Sequence, residues 1–338
     1  MKVLFVISTL RNGGAERVAS VLSSHFASYY STSLVRFENT APFYELNPKL
    51  NLISLQTPKN ALLKPLYKIL KIRKISKDYD IIISFMDSTN ILVLLANLFT
   101  NKKVFISEHS SYDFVGAKWR ILRRIFYPLS AGLSALSKSD FEHYSFVKNK
   151  AVIYNPVSFS VSNDDFIKQN LIIFVGRLEY IKGCDIFLNT LKIANLKDFQ
   201  VEILGDGSER KALENLAKEL GLNVSFCGNV QDIENYYKRA KIVVLSSRSE
   251  GLGNALIESI FYKCLRVATP TSGTKELIND EIDGFISKDF SANSLANALQ
   301  KAINAPESIA QNAYKNKDIF SVQSVYNKWL DLIKSATK

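Results

Sequence analysis

Residues 247–259 read Ser-Arg-Ser-Glu-Gly-Leu-Gly-Asn-Ala-Leu-Ile-Glu-Ser. Two carboxylates, Glu250 and Glu258, stand eight positions apart around a Gly-Leu-Gly turn. Upstream, 242–246 is an apolar run of strand character, and downstream 254–262 carries a helical pattern. Gly251 and Gly253 therefore fall at a strand-to-helix junction. Glycines there let backbone approach a ligand closely, and the free amides of a helix start favour phosphate oxygens. A carboxylate beside a phosphate would repel it, so the two acids suit neutral, hydroxyl-rich groups such as sugars. Glu250 would hold one such group ahead of the turn and Glu258 another behind it. The plain alternative for each is a solvated acid, one on a loop and one on a helix surface.

Other candidates are sparser. His109 follows the strand-like run 103–107, at the end of a strand where ligands of parallel sheets bind. His25 and His143 fall inside helical patterns and read as structural or surface residues. Gly13 and Gly14 sit between a first strand and a first helix, but without the G-x-G-x-x-G spacing of a dinucleotide site. Neither a P-loop nor an H-E-x-x-H motif occurs. Cys184, Cys227 and Cys264 are odd in number and lack metal-ligand spacing, which points to a reduced, cytoplasmic interior.

The elements that must position these residues alternate. Strand-like runs at 3–8, 33–37, 80–85, 103–107, 132–136 and 151–154 are mostly separated by helical patterns such as 15–30 and 118–130. That alternation implies a parallel sheet covered on both faces. Asn155-Pro156 and the polar stretch after it break the pattern, and the alternation restarts at 171–175, continuing through 200–204, 223–227, 241–245 and 265–268. The expected fold is α/β, with two doubly wound, Rossmann-like domains facing across a cleft. The domains would be 1–157, a linker 158–170, and 171–315, followed by a C-terminal helix in 316–338 that could return to the first domain. No apolar run approaches the ~20 residues of a spanning helix.

The net charge of +11 is carried by the first half: residues 1–163 hold 21 basic and 10 acidic side chains, and the remainder balances. No acidic side chain occurs over 46–77. A helix expected over 60–77 would align Lys64, Lys68, Lys71 and Lys74 on one face, with Leu62, Leu66 and Ile69 on the other. A second basic-aromatic segment runs through Lys118, Trp119, Arg120, Arg123 and Arg124 to Tyr127. Aromatic rings beside Arg and Lys suit an anionic headgroup interface; the plain alternative is a solvated helix face. A nucleic-acid binder would also explain the charge, but no stacking platform or recognition helix accompanies it.

The Glu-x7-Glu element resembles that of retaining glycosyltransferases of the GT-B fold, in the large family four. Arg11-Asn-Gly-Gly-Ala-Glu-Arg17 resembles the family's loop after the first strand, and Gly176-Arg177-Leu-Glu-Tyr-Ile-Lys182-Gly183 its G-R-x4-K-G element. Gly205-Asp206-Gly207 and Gly228-Asn229-Val230 complete a set of five in order along the whole chain. The resemblance implies that Arg177 and Lys182 contact the donor diphosphate, Glu258 the nucleotide ribose and Glu250 the transferred sugar. It places Gly13, Gly14, Gly176, Gly205, Gly251, Leu252 and Gly253 along the donor, Gly228 to Val230 beside its base, and His109 near its sugar. It implies no cofactor and no metal. Asp78-Tyr79-Asp80 has the form of a D-x-D metal motif of another glycosyltransferase fold, but it precedes a strand instead of following one.

The stretches 83–90, 107–110 and 119–128 are similar to a subgroup that builds lipid-linked oligosaccharides in bacteria, including N-acetylgalactosamine-adding enzymes of N-glycosylation. That likeness implies a UDP-sugar donor, an undecaprenyl-diphosphate-linked glycan acceptor bound by the Lys64–Lys74 helix, and a peripheral position on the inner face of the plasma membrane. O-antigen or capsule transferases and a GT-B nucleotide-sugar epimerase are the competing readings.

Overall fold

The structure is a computed structural model describing residues 1–56, 63–157, 159 and 166–336. Most of the expected linker (158 and 160–165) lies outside the described residues, as does Leu62 with the expected start of the basic helix. The chain divides into two compact units, Met1–Ser158 with Phe320–Lys338, and Phe159–Ile319.

The first unit holds strands β1 (Lys2–Ile7), β2 (Ser31–Arg36), β3 (Asn51–Ser54), β4 (Ile81–Phe85), β5 (Lys103–Ser107), β6 (Gly132–Ala135) and β7 (Lys150–Val152). Its helices are α1 (Gly14–Phe26), α2 (Lys64–Ser76), α3 (Asp87–Ala96), α4 (Ala117–Phe126) and α5 (Lys138–His143). Every strand pairing is parallel, in the order β3-β2-β1-β4-β5-β6-β7. The two-residue period of β1 explains why its sequence is apolar throughout. Val3, Phe5 and Ile7 enter a core with Val18, Leu22 and Phe26 of α1, whereas Leu4 and Val6 enter the opposite core with Ile72 and Ile91. Sequence patterning passes over β3, an edge strand whose residues are half-buried or exposed.

The second unit holds β8 (Gln169–Val175), β9 (Gln200–Leu204), β10 (Ser225–Gly228), β11 (Ala240–Leu245), β12 (Leu265–Ala268) and the two-residue β13 (Phe285–Ile286). Between and after them run α6 (Cys184–Ala194), α7 (Arg210–Glu219), α8 (Ile233–Arg239), α9 (Asn254–Phe261), α10 (Ser272–Leu277), α11 (Ala292–Ile303) and α12 (Ser308–Tyr314). The sheet is again parallel, ordered β10-β9-β8-β11-β12-β13. Each sheet thus reverses its winding once, between β1 and β4 and between β8 and β11. The loops leaving these strands diverge there and open a crevice.

The last helix, α13 (Val322–Ser335), belongs to the first unit. Tyr326 packs edge-on against Phe26 at 4.8 Å, and Trp329 is buried in the same core. Lys103 Nζ donates to Ala336 O at 2.9 Å, closing the end of the helix against β5.

Candidate active site

In the second unit the residues at the switch point come from the loops after β8 and β11. Three features lock these loops together. Gly183 has φ +63°, and a Cβ there would lie 2.0 Å from Ser246 O, so only glycine lets the two backbones meet. Ser246 Oγ donates to Gly183 O at 2.7 Å. Arg248 grips Asp185 through both guanidinium nitrogens, at 2.8 and 2.6 Å, donates to Tyr180 O at 2.6 Å and lies 3.9 Å over the Tyr180 ring. Burial opposes ionisation of Asp185, but the Arg248 guanidinium outweighs it and holds the carboxyl below its ordinary value.

The result of this clamp is a contact between residues far apart in sequence. Lys182 Nζ lies 2.6 Å from Glu250 Oε1, and Ser247 Oγ donates to the same oxygen at 2.7 Å. Glu250 retains 9% of its exposure and Lys182 21%. Glu258, one turn into α9, is 3% exposed and accepts from Tyr237 Oη at 2.8 Å. Tyr237 in turn stacks on Tyr262 at 5.8 Å. Neither acid is the solvated surface residue of the plain alternative.

Between them, Gly253 caps α9 with extended backbone and no side-chain hydrogen bond. Gly251 rests on α10, where a Cβ at Gly273 would meet Gly251 O at 2.7 Å. The Leu252 side chain is buried, so only its backbone can serve a ligand. The glycines of the neighbouring loops meet along the same sheet edge. A Cβ at Gly205 would stand 1.9 Å from Gly176 O, and Gly205 N donates to Gly228 O at 2.8 Å. Val230 follows, half-buried. Arg177 points elsewhere: its Nη1 pairs with Glu179 of its own loop at 2.7 Å, and the side chain is 55% exposed.

In the first unit, Gly13 caps α1, and its carbonyl accepts from Tyr44 Oη at 3.3 Å, while Gly14 opens the helix. His109 lies beyond β5, half-buried, with its ring 5.5 Å from that of Phe85. Its Nε2 and Ser107 Oγ share a hydrogen bond of 3.0 Å, and Ser107 Oγ meets Ser134 Oγ at 2.8 Å. Burial lowers its pKa to about 3, so the imidazole is neutral at neutral pH.

Beneath His109 lies a buried ionic cluster that sequence reading missed. Arg123 pairs with Asp87 and, at 2.7 Å, with Glu108, and Glu108 also accepts from Tyr127 Oη and from Asn90 Nδ2 at 2.9 Å. Burial raises the Glu108 carboxyl to about 7 against the pull of Arg123. Burial likewise opposes the charge on Arg123, and Glu108 and Asp87 more than restore it. Arg123 was expected on an outward basic face and is instead fully buried. Helical spacing groups it with Arg120 and Arg124, but cannot show the two acids waiting beneath α4. Arg120 donates to Val115 O at 2.8 Å, Arg124 stays exposed, and Trp119 is half-buried.

A second correction concerns α2. Leu66, expected on the side away from the lysines, is 56% exposed, and Leu63 and Leu70 are exposed to similar degrees, so that side does not pack as one apolar face. Ile72 and Ser76 are the buried positions; Lys64 and Lys68 are half-buried, and Lys71 and Lys74 exposed. Asp80 lies before β4, where its carboxylate accepts from Lys2 N at 2.8 Å. Among the described residues no group of three or more His, Cys, Asp or Glu side chains is arranged to hold a metal.

Residues 160–318 match the family model of glycosyl transferases group 1. Over 98% of both chains the protein is 34% identical to the Campylobacter jejuni GalNAc-α-(1→4)-GalNAc-α-(1→3)-diNAcBac-PP-undecaprenol α-1,4-N-acetyl-D-galactosaminyltransferase. The chain belongs to the group 1 glycosyltransferases. Another relative is the amylovoran biosynthesis glycosyltransferase AmsD of Erwinia amylovora, 28% identical over 98% of this chain and 99% of the other. The GT-B fold of this glycosyltransferase is shared with Anabaena HepE, solved with UDP and glucose, at a TM-score of 0.83 and 20% identity over 99% of this chain and 100% of that one. Sucrose-phosphate synthase from Thermosynechococcus elongatus superposes at 0.84 with 16% identity, over 99% and 98% of the two chains. As a glycosyltransferase, the chain carries the matched family segment on its second unit, around the Lys182–Glu250 pair. Arg248, Asp185 and Tyr237, which hold the loops and the acid of the candidate site, are residues that motif reading passed over. Arg248 stands two positions before Glu250, yet only the fold reveals its partner 63 residues away.

Proposed function

We propose that this glycosyltransferase moves a hexose or N-acetylhexosamine, N-acetylgalactosamine favoured, from a UDP-sugar to an undecaprenyl-diphosphate-linked glycan, with retention at the anomeric carbon. The observation that carries the donor half is the Lys182–Glu250 contact at the switch point of the second sheet. Glu250 accepts hydroxyls of the transferred sugar, and Lys182 neutralises the departing diphosphate together with Arg177, whose exposed side chain turns from Glu179. Amides of Gly251 to Gly253 approach the sugar or phosphates. Glu258 receives the ribose, its orientation fixed by Tyr237. His109, neutral, offers the sugar a hydrogen bond without a charge.

The acceptor hydroxyl attacks the anomeric carbon on the face from which the diphosphate leaves. The bond from that carbon to the phosphate oxygen breaks, and the hydroxyl proton passes to the leaving phosphate, giving the glycoside and UDP. Protein cations supply the charge that the leaving group needs, so no step is assigned to a metal or cofactor.

The lipid-linked acceptor and the favoured sugar follow from the Campylobacter relative, whose name contains both. The first unit supports the membrane side. Leu63, which caps α2, Leu66 and Leu70 within it, and Ile121 and Ile125 of α4 are exposed, as are Lys71, Lys74, Lys118 and Arg124. Such apolar residues among cations suit an anionic leaflet at the inner face of the membrane. No helix among the described residues is long and apolar enough to cross one. AmsD, an amylovoran biosynthesis glycosyltransferase, supports a second reading, an O-antigen or capsule transferase with another donor.

The deciding experiment incubates the protein with a panel of UDP-sugars and a short undecaprenyl-diphosphate glycan and weighs the products. Growth of the glycan by N-acetylhexosamine units is expected. Growth only with another sugar would select the second reading, and conversion of a UDP-sugar without acceptor would make the protein an epimerase.

A further inference from the structure

Central strands of a covered parallel sheet are apolar, and a polar side chain buried on one needs a partner. Two serines break that rule side by side at the carboxyl end of the first unit's sheet. Ser107 of β5 is 2% exposed and Ser134 of β6 is 1% exposed. They are register partners, and on its other side Ser107 is in register with Phe85 of β4. Register partners in a parallel sheet project to the same face, so Phe85, Ser107 and Ser134 form a row. His109 meets two members of it. Its ring lies 5.5 Å from that of Phe85 with 28° between the planes, and its Nε2 is 3.0 Å from Ser107 Oγ. Ser107 Oγ in turn is 2.8 Å from Ser134 Oγ.

The protons of this chain can be placed by counting. Each hydroxyl has one to donate, and the imidazole, kept neutral by burial, carries one on either nitrogen. With Nε2 as acceptor, Ser107 donates to Nε2 and Ser134 donates to Ser107, so both hydroxyl protons are used. The imidazole proton then sits on Nδ1. With Nε2 as donor, Ser107 must turn to Ser134, and the Ser134 proton is left over, because Ser134 Oγ has no other partner among the described residues. A buried donor without an acceptor costs free energy that the first arrangement avoids. Nδ1 itself has no partner among the described residues, and the ring is only half-buried, so this nitrogen is the one open to a ligand.

We propose that Ser107, backed by Ser134, is a positioning residue for sugar transfer: it holds His109 as the Nδ1–H tautomer, which donates to an oxygen of the transferred sugar. The inference rests on the place given to His109 in the proposed function and adds the atom and the direction of its hydrogen bond. A fixed N–H donor meets a hydroxyl oxygen or the carbonyl of an acetamido group equally well. It cannot take a proton from the acceptor hydroxyl, and Nε2 is occupied by Ser107. His109 is therefore excluded as the general base, which agrees with a transfer step in which the leaving phosphate receives the proton.

Nitrogen NMR of the full chain, with its three histidines labelled in the imidazole, reads the tautomer directly, and His109→Gln assigns the signal. At neutral pH and without substrate, the wild-type ring should show a proton on Nδ1 and none on Nε2. Ser107→Ala should move the proton toward Nε2, the form an unconstrained histidine ring favours. That variant strands the Ser134 hydroxyl, so Ser107→Ala with Ser134→Ala is measured beside it and should show the same switch. Ser134→Ala alone should keep Nδ1–H, since Ser107 still has Nε2 as its acceptor. In the transfer assay with the best UDP-sugar, kcat of Ser107→Ala should fall about tenfold or more, with the KM for the lipid-linked acceptor unchanged. Three results would overturn the proposal: a wild-type ring protonated on Nε2, a Ser107→Ala ring still protonated on Nδ1, or a switched ring with wild-type kcat. The spectra need no turnover, which separates the two readings. Sugar transfer by a wild-type enzyme with the proton on Nε2 defeats this inference alone, and the expected spectra without transfer of any sugar defeat the proposed function.

Discussion

Lys182 and Glu250 lie 68 positions apart in the chain and 2.6 Å apart in space. The spacing of Glu250 and Glu258 about a glycine turn is legible in sequence because both belong to one strand-turn-helix unit. The partner of Glu250 is not, since it arrives from another loop, on the far side of α6. The same holds for Glu258, whose hydroxyl partner Tyr237 comes from α8. His109 shows a different limit: its position after a strand is readable, but its protonation state depends on packing against Phe85 and Ser107. Its folded pKa of about 3 lies below the ordinary ~6.5 of histidine. Below pH 6.5 the unfolded chain therefore binds a proton that the folded chain refuses. This group's contribution to stability is complete above pH 6.5 and declines as pH falls toward 3. Replacing it by glutamine should remove about 2 kcal/mol of the stability lost between pH 7 and 5, read from urea midpoints at the two values. Identical pH slopes in wild type and His109→Gln would show that the ring titrates alike in the folded and unfolded chain, against the account.

At the scale of elements, α4 is the instructive case. Its sequence reads as an amphipathic basic-aromatic helix, and its outward face, with Lys118, Ile121, Arg124 and Ile125, agrees. Arg123 is the residue that helical spacing misassigns. It reaches inward to Asp87, which opens α3 after β4, and to Glu108, which follows β5. One guanidinium thus ties α4 to the ends of two strands, including the one that carries His109. The sequence holds no local sign of this, because the acids lie 36 and 15 positions upstream and are joined to Arg123 only by the parallel sheet. Removing one partner of a buried ion cluster strands the others without solvent. Arg123→Leu should lower stability by about 3–5 kcal/mol, and adding Glu108→Gln should restore part of the loss. Denaturant unfolding of the three proteins checks this; additive losses would mean that the two residues do not act as one cluster.

For the whole molecule, the alternation of short apolar runs and helical patterns made two doubly wound sheets readable from one end of the chain to the other. Such a pattern survives because every central strand is buried on both faces and must stay apolar. It fails at the margins: β3 is a half-exposed edge strand and β13 has two residues, too few to show a period. The amphipathic period of α13 says that it packs, but not that it packs on α1 of the unit left 160 residues earlier. The uneven charge has a counterpart in surface chemistry: the first unit combines exposed cations and apolar side chains on α2 and α4, whereas the second carries the donor-type loops. The central claim is that those loops hold a nucleotide sugar through Lys182 and Glu250. Its most direct test is the steady-state rate of sugar transfer by Glu250→Gln, with the best donor from the panel and a lipid-linked acceptor. Glutamine still accepts from Lys182 and Ser247, so the thermal midpoint should stay near that of wild type while kcat/KM falls by about 10²-fold or more. A folded Glu250→Gln enzyme that transfers sugar within a factor of about three of wild type, some 0.7 kcal/mol, would contradict it.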